Sequence, residues 1–429
     1  MSISYLEDKP LAVGAGAIYL YSDELMEKLA RKTKFDEPYS LGRVIGGTAH
    51  RRILVPRRMA PPGGADLRTP GEPYKFTSSF KPRNPEQQRL IDECVALLNK
   101  RENFMMSAPT GVGKTWMTTE IIARVGVKTL VVVTKEDVLD QWALALNKCL
   151  GLGTLVKEEL ADGSVHERVR FGNGLGRIQG DVCMVAGMGV VLAFVQSISK
   201  EQRYAESFFK GFGFVVWDEC HRIGADFFAQ SAFRVPARLR LGISATTDRS
   251  DGKTEVLEAH IGPVMVSSTQ AAVDAKVVYT KSTWSCPMRP MLNEKTGKME
   301  LKTIPHTPSQ CGHVIKMLVG HHGRNKQLCQ FIATAYKAGR HILAQSDTLE
   351  HLNVIYSLLP SYGVPPQKIA AYVGGMKAHE REEAKKAPVI LATYQMTKEA
   401  TDIPSLDTLV MMTPKIGRAS CRERVSSPV

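Results

Sequence analysis

The chain has no long apolar run, no closely paired cysteines and few aromatics, and each lack removes a class of protein. Residues 11–21 are the one stretch resembling a signal-peptide core. Glu7-Asp8-Lys9 precedes them instead of a basic cluster. The stretch is also too short to span a bilayer, which takes about 20 residues. A buried strand is expected there. With neither a secretion signal nor a membrane span, the protein is expected in the cytoplasm, with no membrane partner. Its eight cysteines stand apart at 94, 149, 183, 220, 286, 311, 329 and 421, so a disulfide scaffold is excluded and reduced thiols are expected. Cys286, His306, Cys311 and His313 approach a metal set, but their spacing fits no standard zinc pattern. Aromatic residues make up 7% with no aromatic–basic repeat, which leaves no evident base-stacking platform.

What the chain does have is positive charge. A formal net charge of +13 favours a polyanionic partner, because every phosphate neutralised releases bound counterions. At 429 residues there is room for two or three domains, and 43% apolar residues can fill their cores. Residues 1–80 carry no catalytic motif. Arg51-Arg52, Arg57-Arg58 and Pro61-Pro62-Gly63-Gly64 suggest a small accessory region and an extended linker. The arginines are expected on a solvated loop, with nucleic-acid contact as the alternative.

From Pro85 the pattern turns α/β. Helical periodicity covers 86–100, with Leu90, Ile91, Cys94, Val95, Leu97 and Leu98 apolar. Strands are expected at 104–108, 129–134, 182–186, 214–217 and 239–243, and helices at 114–125 and 137–150. A second α/β unit starts near 310. It has expected helices at 325–338, 348–359 and 377–386, and strands at 342–345, 371–373, 389–393 and 408–412. Such alternation predicts parallel sheets with helices on both faces and ligands at the carboxyl ends of the strands. The expected division is an accessory region at 1–80, a first α/β domain at 81–262, a bridge at 263–309, a second domain at 310–415 and a tail at 416–429.

Three segments carry the chemistry. Ala108-Pro-Thr-Gly-Val-Gly-Lys-Thr115 departs from GxxxxGK[ST] only in its first residue. Gly111 and Gly113 let the backbone, with Thr110 and Val112, wrap a triphosphate. The following helix presents its positive end. Lys114 supplies charge to the β- and γ-phosphates, and Thr115 a hydroxyl to Mg2+. Asp218-Glu-Cys-His221 ends an apolar strand. There Asp218 is expected on the metal with Thr115, and Glu219 on the attacking water. His221 is expected near the γ-phosphate. Ser244-Ala-Thr246 follows the next strand, and the Ser244 and Thr246 hydroxyls are expected to couple nucleotide state to Asp218 and His221.

In this order the segments resemble the superfamily 2 helicases with a DExH box, above all phage branched-DNA helicases of the UvsW kind and XPB-like translocases. The resemblance covers about 85–415. It implies two RecA-like parallel-sheet domains, the second incomplete, that clamp ATP and step along DNA. Arg83-Asn-Pro-Glu-Gln87 resembles the adenine-recognising element, which puts Gln87 on the base. Val133-Thr-Lys-Glu-Asp-Val-Leu-Asp-Gln-Trp142 resembles the segment that touches the nucleic-acid backbone, through Thr134 and Lys135. Leu241 to Gly252 is similar to the extended third motif and adds Arg249 to that track, although Thr247 stands where Pro is usual. Residues 342–352 resemble motif IV and 389–404 motif V, where Asp402 would link nucleic acid to nucleotide and Ala400 replaces the usual Gly.

Motif VI, QxxGRxxR, is expected after residue 413. Instead Pro414-Lys415 runs into Ile416-Gly-Arg-Ala-Ser-Cys-Arg-Glu-Arg-Val425, which lacks the Gln and the spacer. That stretch reads as translated sequencing adapter, so a cut second domain and a non-native tail are expected, with a diverged motif VI, mimicked by Gly417-Arg418, as the alternative. The implied function is an ATP-dependent DNA helicase or translocase on duplex, forked or branched DNA, phage- or bacterium-encoded and working in the host cytoplasm, with ATP and Mg2+. The alternatives are a duplex-translocating motor subunit of a restriction or remodelling complex, an RNA helicase, or, as cut, a nucleic-acid binder without turnover. Oligomeric state is not legible.

Overall fold

A computed structural model describes residues 6, 8–32, 38–46, 50–159, 165–200, 203–221, 226–245, 254–268, 278, 288–292, 299–303, 308–376, 378–397, 403 and 405–413. The chain divides into two compact units, Met1–Ala272 and Val273–Val429.

The first unit opens with a small sheet of β1 (Ala12–Val13), β2 (Ala17–Leu20), β3 (Arg43–Ile45), β4 (Arg52–Val55) and β5 (Ala65–Asp66), ordered β3-β4-β2-β1-β5. The single strand expected over 11–21 is therefore two strands. Gly14 and Gly16 reverse the chain between them, with the Gly14 N–H donating to the Gly16 carbonyl at 2.8 Å.

The segment that follows is extended, as expected, but it is pinned rather than free. Backbone N–H groups of Thr69, Glu72, Tyr74 and Ser79 donate to the carbonyls of Pro236, Gly211, Gly126 and Cys149 at 2.8–3.0 Å. At Gly213 a Cβ would lie 1.8 Å from the Pro70 carbonyl, so only glycine lets the strap pass.

The strap leads into the main α/β body. Its helices include α1 (Pro85–Asn99), α2 (Lys114–Val125) and α3 (Glu136–Leu150). Asn84 caps α1 by accepting from the Gln87 N–H, and Pro85 fills the first turn, where no N–H is missed. Gly126 and Gly151 end α2 and α3 in the left-handed conformation. The sheet contains β6 (Phe104–Ser107), β7 (Thr129–Val133), β8 (Leu175–Gln179), β9 (Val182–Met184), β10 (Val190–Phe194), β11 (Phe214–Asp218), β12 (Leu239–Ser244) and β13 (Val264–Ser267). Its order is β9-β8-β10-β7-β11-β12-β6-β13, parallel throughout except for β9 against β8. Alternation splits β7 between two cores: Val131 and Val133 pack with α1–α3, and Leu130 and Val132 pack on the other face.

Residues 182–186, expected as a buried strand, instead give the edge strand β9, with Val182 51% exposed. The buried strand is β10, whose Val190, Val191, Leu192 and Ala193 are fully covered. Both runs are apolar, and only pairing decides which lies inside.

Arg57 is likewise no loop residue. It is buried, and its guanidinium donates to the carbonyls of Ala237 and Arg238 at 2.7 and 3.1 Å. Beside it Arg240, on β12, is wholly buried and donates to the carbonyls of His260, Ala15, Ala232 and Val235 at 2.7–3.0 Å. Desolvation lowers its pKa to about 9. These two side chains fasten the N-terminal sheet to the α/β body.

The second unit holds α4 (His322–Lys337), β14 (Ile342–Ser346), α5 (Leu349–Leu358), β15 (Ile369–Tyr372), α6 (Ala378–Lys385), β16 (Val389–Thr393) and β17 (Thr408–Met411). The sheet is parallel, ordered β15-β16-β14-β17. Thr348 caps α5. Buried His351 bonds Ser346 Oγ at 2.9 Å and Asn325 Oδ1 at 3.1 Å, which ties β14, α5 and α4 together.

Arg240→Ala leaves several buried carbonyls without donors. It is expected to lower the unfolding free energy by about 3 kcal/mol, read as a shift in the denaturant midpoint. Arg240→Lys, which cannot reach all four carbonyls, is expected to fall between the two.

Candidate active site

The three motif-bearing strands are neighbours: β11, β12 and β6 run side by side in the sheet. Residue pairing places Asp218 beside Ile243 and Ser244 beside Ser107, so their carboxyl ends meet at one edge. The Ala108 N–H donates to the Ser244 carbonyl at 3.1 Å and anchors the glycine turn to that edge.

The turn occupies residues 108–113. Gly111 and Gly113 have φ of 80° and 87°, a region closed to most side chains. A Cβ at Gly113 would lie 2.9 Å from Gln87 Nε2. Lys114 opens α2, whose first N–H groups have no partner within the helix. Its Nζ donates to the carbonyls of Ala108 at 2.8 Å and Pro109 at 3.1 Å. Burial lowers the Lys114 pKa, opposed by the charges of Glu219 and Asp218. Thr115 follows, half-buried, in the first turn of α2.

Asp218 ends β11. Its Oδ2 accepts the Trp142 indole N–H at 2.8 Å, and its Oδ1 accepts the Glu219 N–H at 2.9 Å. Desolvation first, and then the Glu219 charge, push its carboxyl up to about 6. Glu219 has φ of 49°, which for a side chain of this kind costs about 1–2 kcal/mol. Its Oε2 lies 3.2 Å from His221 Nδ1, and that nitrogen is 3.2 Å from Ser244 Oγ.

A cavity of about 220 Å³ adjoins the turn, lined by residues including Phe80, Lys81, Arg83, Gln87, Trp116 and Lys148. Gln87 Oε1 accepts the Arg83 N–H at 2.7 Å, and Nε2 donates to the Val112 carbonyl at 2.8 Å. One N–H and one lone pair remain on that amide.

Thr134 follows β7, its carbonyl accepting from Gln196 Nε2 at 3.2 Å, and Lys135 is the N-cap of α3. Thr246, Arg249, Asp402 and the whole segment 414–429 lie outside the described residues. Trp142, Phe80 and Trp116 did not stand out in the sequence as site residues. For the two tryptophans the one signal was an indole N–H on a ring in an apolar helix stripe, and Phe80 carried no such signal.

These groups fit a triphosphate with a divalent cation. There is a cradle that a Cβ would fill, an ammonium with a further N–H to give, and a carboxylate held by two donors. Among the described residues no group of three or more His, Cys, Asp or Glu is arranged so that it could hold a metal ion by itself. Among the described residues no helix is long and apolar enough to cross a membrane.

Residues 80–249 match the family model of the type III restriction enzyme, res subunit. A protein of Acanthamoeba polyphaga mimivirus, provisionally named an ATP-dependent RNA helicase, is 25% identical over 353 residues, 81% of this chain and 61% of its own length. The DNA 3'-5' translocase XPB2 of Sulfurisphaera tokodaii is 24% identical over 188 residues, 43% of this chain and 36% of its own. The chain therefore spans less than two thirds of either relative. The solved DUF1998 helicase MrfA, bound to DNA and AMPPNP, has the same fold at 12% identity, with a TM-score of 0.51 over 83% of this chain and 50% of that one.

Gly113→Ala forces a methyl group into a left-handed position against Gln87. It is expected to lower stability by about 1–2 kcal/mol, checked by thermal melting without ligand. The glycine turn before α2, the acidic end of β11 and the match over residues 80–249 point the same way: the chain is similar to the superfamily 2 helicases, and its α/β fold is of the RecA-like kind.

Proposed function

We propose that this protein is an ATP-dependent translocase or helicase acting on DNA, whether duplex, forked or branched. The observation that carries the reading is the edge where Lys114, Asp218, Glu219, His221 and Ser244 meet, with Ala108 bonded to Ser244. Backbone N–H groups of 110–113 and the Lys114 ammonium bind the phosphates. Thr115 and Asp218 would hold Mg2+. The free donor and acceptor of Gln87 match an adenine edge. Bound ATP and its magnesium supply the scissile phosphoanhydride and the charge that eases its cleavage.

The Glu219 carboxylate orients the attacking water and takes its proton, aimed by the His221 contact at Oε2. His221, Ser244 and Thr246 are assigned the coupling of nucleotide state to the nucleic acid, and Asp402 is assigned to the same coupling. Thr134, Lys135 and Arg249 grip the nucleic-acid backbone. The net charge of +13 suits such a non-specific grip.

The match to a restriction-enzyme res subunit favours a second reading, a motor that pumps duplex without opening it. ATP hydrolysis is measured with single-stranded, forked and duplex DNA and with RNA, alongside strand displacement and triplex displacement. Strand displacement on forks supports the first reading. Triplex displacement alone supports the second. Stimulation by RNA alone removes DNA as the substrate, and binding without turnover leaves a nucleic-acid binder.

Lys114→Ala is expected to cut turnover by about 100-fold or more while nucleic-acid binding holds. Unaltered turnover would refute the phosphate role. Glu219→Gln is expected to lower turnover by about 100- to 10,000-fold and to retain bound ATP in a filter assay.

A further inference from the structure

Trp142 is fully buried on α3, among Leu139, Leu146, Val133 and Val216. Its ring belongs in that core, but its indole N–H does not, and a buried indole N–H needs a partner. It finds Asp218 Oδ2 at 2.8 Å. The second buried tryptophan near this strand, Trp217, points to the opposite core and donates to Ser231 Oγ at 3.2 Å. An indole can donate and never accept, so Trp142 holds one lone pair of the carboxylate in one direction. The Glu219 N–H holds the other oxygen. Each oxygen keeps a lone pair for a cation or its water.

The helix that carries Trp142 starts at Glu136, directly after Thr134 and Lys135. At 1.5 Å per residue, only about 9 Å of rigid helix separates its first residue from Trp142. One helix thus has its leading end at the segment assigned to nucleic acid and its second turn on the carboxylate assigned to the metal.

Resting on the function proposed above, we propose that Trp142 is a positioning residue. Its indole N–H aims the Asp218 carboxylate at the divalent cation, and a shift of α3 on engaging nucleic acid is passed to that carboxylate through it. Groups that orient a ligand in this way typically contribute 10- to 100-fold in metal affinity.

The test titrates Mg2+ into the protein with a non-hydrolysable ATP analogue whose fluorophore is excited away from tryptophan, with and without duplex DNA. Trp142→Phe keeps an aromatic ring and removes the N–H. It is expected to raise the Mg2+ midpoint about 10-fold or more, to leave analogue binding in EDTA unchanged, and to shrink the DNA-induced shift of the midpoint. Replacing Trp142 with β-(3-benzothienyl)alanine preserves the ring shape without the N–H and serves if the Phe variant misfolds. Trp217→Phe is expected to leave the midpoint in place. A wild-type Mg2+ response and DNA shift retained by the benzothienyl protein overturns the proposal and leaves the ATPase reading intact. A wild type whose analogue binding ignores Mg2+ overturns the metal assignment and the proposal together.

Discussion

The bond from the Ala108 N–H to the Ser244 carbonyl is the constraint on which the site depends. It joins the last residue of β12 to the first of the glycine turn, across two adjacent parallel strands. Parallel pairing brings both strand ends to the same edge, and β11 continues the row with Asp218. No side chain is needed for this register. It follows from strand order, and the order follows from which apolar runs are buried on both faces. The polar groups then gather at the one edge where the chain leaves the core.

That edge stores unfavourable electrostatics. Lys114 is shifted down, Asp218 is shifted up, and Glu219 holds a left-handed backbone angle. The two shifts are the signature of charged groups drawn partly out of water with less than full compensation, and the Glu219 angle adds backbone strain. Such an arrangement favours an incoming anion and cation, which together relieve both shifts. The opposite end of β12 solves a similar problem differently. Among the described residues Arg240 has no carboxylate partner, and its guanidinium donates to four backbone carbonyls. The carbonyls satisfy its two terminal nitrogens but supply no opposite charge, and desolvation, followed by the Arg68 charge, lowers its pKa. One strand thus joins a structural cation at its base to the site at its tip.

Much of the α/β body was legible from pattern. Residues 104–107, 129–133, 214–218 and 239–244 are short apolar runs between turn signals, and α1, α2 and α3 have period-3.6 stripes with caps. The glycine turn and the acidic strand end were legible because φ above zero and paired carboxylates have few substitutes. Less legible was anything that depends on a partner distant in sequence. The run at 182–186 looked as buried as 190–194, yet it pairs antiparallel at the rim. Arg57 looked like surface because the sequence does not display the Ala237 and Arg238 carbonyls it meets.

The sequence by itself determined the local chemistry: where backbone turns left-handed, where helices begin, and which side chains hold charge. Those properties are set by a residue and its near neighbours, through sterics and hydrogen bonds of short reach. Only the tertiary structure decided that a tryptophan of α3 would hold Asp218, that Gln87 would brace the glycine turn, and that Arg57 and Arg240 would lie buried. Those contacts arise from sheet order and from the demand that every buried donor find an acceptor, and neither is a property of any single stretch of chain.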